Sequence, residues 1–199
     1  MKYITTYLLI TFFYVYCFTL FFSMEETQVV ISSKSDLVIE GKSNVNRFKC
    51  FYSSNDLIDT LKVEYRRRKS IYFFENTSLN FINKRFDCGG KGINKDFHKL
   101  LRSKKFPSIK MKLNSFSYTI KEDSVLVNVT YKINGIPNNY YIPVKLEKKE
   151  SHFKISGNIK INIKDFDLDP PRKVLGIVKV RDSILIKFNF LVQENKKSG

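Results

Sequence analysis

The sequence predicts an all-β protein, an antiparallel barrel of about eight strands with one short α-helix. The first indication is period-two alternation, in which apolar and polar side chains follow each other over segments of about ten residues. The second is the brevity of the polar links between these segments, which is typical of hairpins in a meander. The third is composition, because Phe (18) and Tyr (11) are abundant and aromatic residues favour strands.

Alternation is strongest in the second half of the chain, where each predicted strand has one apolar and one polar face. Those strands are MKLNSFSYTI (111–120), SVLVNVTYKI (124–133), YYIPVKLEK (140–148), FKISGNIKINIK (153–164) and ILIKFNFLV (184–192). The link NGIPNN (134–139) contains the Asn-Gly pair that favours a tight hairpin turn. In the less regular first half we expect strands at DLVIEG (36–41), RFKCFYS (47–53), IDTLKVEY (58–65) and IYFFE (71–75).

One segment, NKDFHKLLRSKKFP, departs from alternation and predicts the helix, over residues 94–103. Its apolar residues recur at helical spacing, as Phe97, Leu100 and Leu101. Asn94 is expected to cap the start of the helix, basic residues crowd its end, and Pro107 prevents its continuation.

The N-terminal leader, residues 1–23, has the character of an export signal. Lys2 is its only charged residue, and the uncharged run Tyr3–Phe22 is about as long as the ~20 residues that span a bilayer. Because no clear small-x-small cleavage site follows, the leader is either a cleaved signal peptide or a retained signal anchor. We therefore expect an exported protein, periplasmic or envelope-associated, with a barrel domain over residues 24–194 and a flexible tail at 195–199.

Export predicts an oxidising compartment, in which the two cysteines that follow the leader, Cys50 and Cys88, can pair as a structural disulfide. The alternative is a metal or redox site, which the absence of a CxxC motif and the presence of only two histidines disfavour. Cys50 ends the segment GKSNVNRFKC (41–50), which predicts a tight corner between the first two strands. Side-chain hydrogen bonds from Asn44 and Asn46 are expected to hold that corner.

The chain is strongly basic, with a formal net charge of +16, and only the charge of Lys2 belongs to the leader. Such a charge attracts nucleic acid or an anionic membrane surface, and export disfavours nucleic acid as a partner. The densest basic cluster is YRRRK, residues 65–69, which is suited to contact lipid phosphates. Solvated lysines on the outer faces of strands are the simpler interpretation of most of the charge.

No constellation of residues in the sequence indicates catalysis, so we expect a protein that is not an enzyme. The two histidines, His98 in the helix and His152 in a hairpin link, do not form a metal cluster, and no metal site is expected. The segment DFDLDPP (165–171) lacks the spacing of a calcium loop and predicts a rigid turn. The segment CGGKG (88–92) lacks the ending of a phosphate loop and predicts a flexible link into the helix.

Three stretches that follow one another along the chain carry a resemblance to a known family. They are LVIEGKSNVNRFKC, FDCGGKGINKDFHKLLRSKKFPSIKMKL and ISGNIKINIKDFDLDPPRKVLGIVKVRDSILIKFNF. Together they resemble the YceI-like family over residues 29–192. The resemblance implies an exported bacterial protein with an extended eight-stranded lipocalin-like barrel, whose relatives bind long polyisoprenoid lipids in an internal pocket.

The resemblance therefore implies non-enzymatic binding, transport or storage of a long apolar isoprenoid-type lipid. Its quinone or polyprenyl tail would lie in the barrel and its polar head at the mouth. No cofactor is expected other than such a bound isoprenoid lipid or quinone. The apolar rows that point inward supply the candidate wall of the pocket: Leu113, Val127, Val129, Tyr131, Ile142, Val144, Phe153, Ile155, Ile159, Ile161, Phe188 and Phe190.

A second function, from another class, is compatible with the same sequence. In that hypothesis the barrel is fully packed, and the chain is an envelope interaction protein that binds anionic lipid or polysaccharide through its basic face. The expected partners are thus an apolar lipid and an anionic membrane surface, without nucleic acid. The sequence does not give the oligomeric state, and a homodimer is compatible with it.

Overall fold

The computed structural model describes residues 24–57, 59–118, 124–149, 152–170, 172–173 and 178–195. The predicted leader and residues 196–199 of the predicted tail lie outside these ranges. Among the described residues, no helix is long and apolar enough to cross a membrane. Every described strand, the helix and the disulfide lie between Glu25 and Glu194.

The described chain is built mainly of strands, and each strand predicted from the sequence is present. The strands are β1 (Glu25–Ile31), β2 (Asp36–Lys42), β3 (Arg47–Tyr52), β4 (Asp59–Arg68), β5 (Ile71–Glu75), β6 (Ser78–Ile82), β7 (Phe86–Asp87), β8 (Ser108–Tyr118), β9 (Ser124–Ile133), β10 (Ile136–Lys149), β11 (His152–Asn162), β12 (Arg172–Lys173), β13 (Val178–Lys179) and β14 (Ser183–Glu194). The helix α1 spans Lys91–Leu100, and short 3₁₀ helices span Ser54–Leu57, Asn83–Arg85 and Ile163–Phe166.

Eight strands form a closed antiparallel ring in the order β1-β4-β5-β8-β9-β10-β11-β14, which pairing of β1 with β14 closes. This ring confirms the predicted eight-stranded antiparallel barrel with one helix. Hairpins between consecutive strands make up much of it, as the short links predicted. In the β9–β10 turn Asn134 has φ 53° and Gly135 has φ 82°, the left-handed pair that a type I′ turn requires.

One end of the ring, here called the closed end, is covered by further structure. On this side β2 pairs with the first half of β14, β3 pairs with β2, and β6 pairs with the first half of β8. The 3₁₀ helix Ile163–Phe166 and the residues after it lie at this end, where Phe166 and Leu168 are almost fully buried. Asn134 Nδ2 donates to the Phe166 carbonyl at 3.0 Å, which ties this covering segment to the β9–β10 turn.

The helix α1 begins at Lys91, three residues before the predicted start. Its N-cap is Gly90, so the prediction that Asn94 caps the helix is wrong. Asn94 lies in the first turn instead, where its Oδ1 accepts from the Cys88 backbone N–H at 2.6 Å. Its Nδ2 donates to Asp87 Oδ1 at 2.9 Å. The amide therefore holds the turn that precedes the helix, a role that spacing along the sequence does not distinguish from capping.

The predicted disulfide is present between Cys50 on β3 and Cys88, which lies two residues before the N-cap of α1. Both cysteines are buried. Three aromatic rings of the same core cluster pack in a chain, with centroids 4.9 Å apart for Tyr52–Phe86 and 5.4 Å apart for Phe86–Phe97. The disulfide therefore joins the sheet to the segment from which the helix starts.

A serine hydroxyl makes most of the hydrogen bonds in the corner between β2 and β3. Ser43 Oγ accepts from the Asn46 backbone N–H at 2.9 Å and donates to the Asn46 carbonyl at 3.1 Å. The expected local bond from Asn46 is also present, since its Oδ1 accepts from the Arg47 N–H at 2.7 Å. The corner is thus structural, and it leads the chain to the disulfide.

Removal of the disulfide is predicted to lower the free energy of unfolding by roughly 3–4 kcal/mol, the chain-entropy value for a loop of this length. The change is Cys50→Ala together with Cys88→Ala, because a single substitution would leave its partner as a lone thiol. Urea denaturation of the wild type and the double variant measures the difference. Wild-type protein kept in reductant is the control and should lose a similar amount; equal midpoints for all three samples would contradict the prediction.

Candidate functional site

The predicted wall residues share one face of the sheet, the inner face of the ring. Residues that lie directly opposite each other on neighbouring strands point to the same side of a sheet. Val127 on β9 is opposite Ile142 on β10. Ile155 on β11 is opposite Phe190 on β14. The remaining members occupy alternate positions of the same strands, so the structure brings the predicted set together on one surface.

The predicted wall residues differ in how far they are buried. Most lie in the hydrophobic core, namely Val129, Tyr131, Ile142, Val144, Ile159, Ile161, Phe188 and Phe190. Leu113, Val127 and Ile155 are half-buried and pack against that core. Phe153 is 36% exposed and lies outside the cluster. Along β11, exposure therefore rises from Ile161 at the closed end to Phe153 at the other end.

That other end is the mouth of the ring, where no described segment covers the strands. The strands β1, β5, β9 and β11 begin there, and β4, β8, β10 and β14 end there. The described inner face is thus covered at one end, and at the other several of its side chains, such as Phe153 and Val127, remain partly exposed.

The sequence did not predict a further part of the inner wall, which lies on β4, β5 and the second half of β8. Its inward residues are all half-buried: Leu61, Val63, Tyr65, Tyr72, Phe74 and Phe116. The Tyr72 and Phe116 rings are stacked with centroids 4.6 Å apart, and Phe74 lies 5.5 Å from Phe116. Apolar and polar residues alternate within IDTLKVEY, which is the signal that could have indicated an inward row on β4. The alternation in the first half of the chain is too irregular to show which strands lie beside that row.

The aromatic side chains of this wall are not fully covered by other residues. Side chains that point into a filled barrel are normally buried, since protein interiors are close-packed. Tyr72, Phe74 and Phe116 point inward, yet solvent still reaches them. The mouth half of the ring therefore presents apolar surface to water on its inner side.

A glycine on β11 keeps one large ring against the inner wall. Gly157 lies opposite Phe188, and a Cβ added to Gly157 would stand 2.7 Å from Phe188 Cζ. The Phe188 ring therefore lies across the backbone of Gly157, where any other residue would displace it. The neighbouring Phe190 ring stacks on Phe188 with centroids 5.3 Å apart. The Phe188 ring is thus held between the backbone of Gly157 and the Phe190 ring, within the buried core.

Polar side chains surround the mouth. The Tyr65 hydroxyl donates to Glu25 Oε2 at 2.6 Å, and this bond, followed by burial, raises the pKa of Tyr65 to about 12. The Thr27 hydroxyl donates to Glu194 Oε1 at 3.1 Å. Arg67 lies over the Tyr72 ring, 5.5 Å from its centroid. The mouth therefore offers hydrogen-bonding groups of both charges above an apolar interior.

Two tyrosines mark the inner face towards the closed end. Their rings lie 6.1 Å apart, and burial raises the pKa of both Tyr131 and Tyr140. The Tyr140 hydroxyl is buried and has no hydrogen-bond partner among the described residues. Both phenols are therefore neutral at physiological pH, and neither adds a charge to the inner face near the closed end.

The cluster YRRRK does not form a single basic face. Arg66 points outward, is half-buried and pairs with Glu75. Arg67 points inward over Tyr72, and Arg68 points outward and is exposed. Alternation along β4 therefore separates three arginines that are adjacent in the sequence.

Among the described residues, no group of three or more His, Cys, Asp or Glu side chains could hold a metal ion. A solvent-open groove of about 530 Å³ lies on the outer face of the ring. Its lining combines polar side chains with Pro143, Gly157 and Phe188; the polar members are Asp36, Ser124, Lys145, Ser156, Asn158, Lys187 and Asn189. A groove that is open to solvent along the outer face does not enclose a long apolar chain, so the inner wall is the candidate site.

Comparison with known families gives a match over most of the chain. The family model described as YceI-like domain matches residues 60–192, from β4 to β14, which agrees with the resemblance found in the sequence motifs. A comparison with curated proteins gives no match.

Solved structures with the same fold are found in several bacteria. BcnA from Burkholderia cenocepacia is 15% identical, with a TM-score of 0.62 over 80% of this chain and 96% of its own. A polyisoprenoid binding domain from Saccharophagus degradans is 9% identical, with a TM-score of 0.62 over 86% of this chain and 100% of its own. The YCEI protein from Campylobacter jejuni is 13% identical, with a TM-score of 0.51 over 62% of this chain and 74% of its own. At these identities the likeness establishes the fold.

The hydrogen bond between Tyr65 and Glu25 predicts a change in the pKa of Tyr65 that can be measured by titration. Glu25→Gln should lower the pKa of Tyr65 from about 12 towards its usual value near 10, because the phenolate would no longer face a carboxylate. Ultraviolet absorbance of phenolate, followed from neutral to strongly alkaline pH, measures the change. Tyr65→Phe identifies the contribution of Tyr65, and an identical titration curve for Glu25→Gln and the wild type would contradict the assignment.

Proposed function

Because the chain belongs to the YceI-like domain family, we propose that it binds a long apolar isoprenoid-type lipid inside the barrel. The ligand is a quinone or polyprenyl lipid whose tail occupies the ring and whose polar head remains at the mouth. The activity is binding, for transport or storage, without catalysis, in an exported protein of the periplasm or envelope.

The single observation that carries this proposal is the half-buried apolar wall on the mouth side of the ring. Tyr72, Phe74 and Phe116 point inward and remain accessible to solvent, as do Val127 and Ile155 on the facing strands. Exposed apolar surface in a concave, one-ended space is the usual feature of a ligand pocket. A fully packed barrel, as in the alternative hypothesis, would bury these side chains.

The chemistry of the wall favours an apolar chain. The inward row on β9 is apolar apart from the Tyr131 hydroxyl, and Val127 is its half-buried member. A tail would therefore contact Val127 together with the half-buried wall on β4, β5 and β8. Each methylene of a ligand removed from water in such a space contributes about 0.8 kcal/mol, so affinity would grow with tail length.

The mouth supports the orientation of the ligand. Tyr65, Thr27 and the carboxylates of Glu25 and Glu194 offer donors and acceptors at the rim, while the deep wall is apolar. A polar head group keeps its hydrogen bonds only at the rim, because burial without a partner costs free energy.

A neighbour of the same fold supports the ligand class. The Saccharophagus degradans structure is a polyisoprenoid binding domain, and it aligns over its whole length with this chain. At 9% identity, the similarity of the two structures establishes the fold alone. The half-buried wall of this chain is a separate observation in support of a lipid ligand.

Recovery of the natural ligand tests the proposal directly. Protein purified from its host under mild conditions should carry an isoprenoid lipid that organic extraction and mass spectrometry detect in near-stoichiometric amount. A second protein of similar size, purified in parallel, controls for lipid carried over from membranes. Protein recovered repeatedly without lipid, and unable to take up a prenyl quinone added in vitro, would contradict the proposal.

Two adjacent substitutions on β11 separate the interior from the outer face. Ile155→Lys puts a charge on the inner wall and should weaken prenyl quinone binding more than tenfold, because a lipid tail cannot solvate an ammonium group. Ser156→Lys adds the same charge to the outer face and should leave binding unchanged. Fluorescence titration with the quinone measures both, and thermal unfolding checks that each variant folds. Equal affinities for the two variants would contradict an interior site.

A further inference from the structure

Exposed apolar side chains are gathered on the outer face of β5, β9 and β10, on the mouth half of the ring. The register aligns Ile71, Ser117, Leu126 and Pro143 in one row across four strands, and Phe73, Ser115, Asn128 and Tyr141 in the next. Ile71, Phe73, Leu126 and Tyr141 are 37%, 39%, 41% and 69% exposed. We call the apolar members of these rows, together with the exposed Pro143, the outer patch.

The outer patch is uncovered because its neighbours on β8 are small. Ser115 and Ser117 stand between the apolar side chains of β5 and those of β9 and β10. An apolar surface of this kind on the polar side of a sheet costs solvation free energy and marks a binding surface when it is contiguous.

Positive charge borders the outer patch on two sides. Arg68 and Lys69, at the tip of the β4–β5 hairpin, are exposed. Lys110, Lys112 and Lys132 are exposed on the outer face of β8 and β9, nearer the closed end. Among the described residues, no ion pair within 4.0 Å includes any of these side chains.

Negative charge is scarce on the described part of the same surface, where the carboxylate of β5, Glu75, pairs with Arg66. The segments 108–118, 124–133 and 136–144, which form β8, β9 and the first part of β10, contain no Asp or Glu. Apolar side chains bordered by unneutralised Lys and Arg are the combination that binds anionic bilayers, since the cations reach phosphates while the apolar groups enter the head-group region.

We infer that the outer patch docks on an anionic lipid bilayer. This function goes beyond the proposed function, because it concerns the outside of the barrel and holds whether or not the interior carries a lipid. Ile71, Phe73 and Leu126 enter the interfacial region, and Arg68 and Lys69 contact lipid phosphates from the hairpin tip.

A second copy of the chain is a poorer occupant of the outer patch. A two-fold dimer would place the same surface against itself, so the lysines and arginines of one copy would meet those of the other, while Glu75 on β5 is already paired with Arg66. Like charges opposed across an interface are destabilising. The charge of this surface therefore selects an anionic partner.

The position of the outer patch fits a membrane partner. It adjoins the mouth, and β1 starts at Glu25 on the same rim, only two residues beyond the end of the predicted leader. Docking through the outer patch would bring the mouth close to the lipid surface, at the same end of the ring as the start of β1.

The absence of Trp from the sequence provides a clean probe. In the full chain, Leu126→Trp puts a single reporter in the outer patch, and Phe51→Trp puts one at an exposed apolar position on β3. Both proteins are mixed with phosphatidylcholine vesicles that contain brominated lipid, with and without phosphatidylglycerol. We expect bromolipid to quench Leu126→Trp strongly in the anionic vesicles and weakly in the neutral ones, and to quench Phe51→Trp little in either.

A charge-matched pair of variants tests the hairpin tip. Arg68→Gln with Lys69→Asn, in which Asn suits the positive φ of Lys69, removes two cations beside the outer patch. Lys34→Gln with Lys84→Gln removes two exposed cations elsewhere. Each cation lost at a membrane surface weakens binding roughly fivefold, so the first pair should weaken vesicle affinity about twentyfold or more. The second pair should change it far less.

Three results would overturn the inference. The first is equal quenching of Leu126→Trp and Phe51→Trp in anionic vesicles. The second is equal loss of affinity in the two charge-matched pairs. The third is a blue shift of Leu126→Trp emission that grows with protein concentration in the absence of vesicles, which would make the outer patch a contact between copies of the chain.

Discussion

Closure of the ring depends on how β14 divides its free edge between two partners. Its last residues pair with β1, from Val29 opposite Glu194 to Ile31 opposite Val192, and its first half pairs with β2. At the break between β1 and β2, the Ser32 N–H donates to the Leu191 carbonyl at 2.8 Å, and the Leu191 N–H donates to Ser35 Oγ at 2.9 Å. Both backbone hydrogen-bonding groups of Leu191 keep a partner where β14 changes from β2 to β1, so the hydrogen bonding of β14 continues across the junction.

This division gives the two ends of the barrel different characters. Where β2 and β3 continue the sheet, the disulfide, α1 and the 3₁₀ segment around Phe166 cover the interior. Where β1 and β4 form the wall, no described segment covers it, and the inner aromatic side chains stay half-buried. An inner face that is covered at one end and partly exposed at the other suits a ligand with an apolar tail and a polar head, since charged and hydroxyl side chains at the rim can hydrogen-bond the head.

The proposed lipid site and the proposed docking surface occupy opposite faces of the same strands. The inner face of β5 and β8 presents Tyr72 and Phe116 to the interior, and the outer face of β5 carries Ile71 and Phe73. A lipid carrier has to meet a bilayer before it can accept or release its ligand. In the two proposals taken together, the outer patch beside the mouth, bordered by cations, would provide that encounter.

The sequence by itself indicated most of the long strands, an antiparallel barrel with a single helix, the disulfide and the family, because alternation, turn residues and cysteines are local signals. It did not indicate β1, whose pairing with β14 closes the ring. It also determined which side chains of β9 to β11 share a face. It did not distinguish Asn94 as a turn anchor from Asn94 as a cap, and it did not indicate that Tyr72, Phe74 and Phe116 complete the wall. Only the tertiary structure decided which inward side chains are buried and which remain open to solvent, because burial depends on what lies across the ring and at its ends, and those neighbours are distant in sequence.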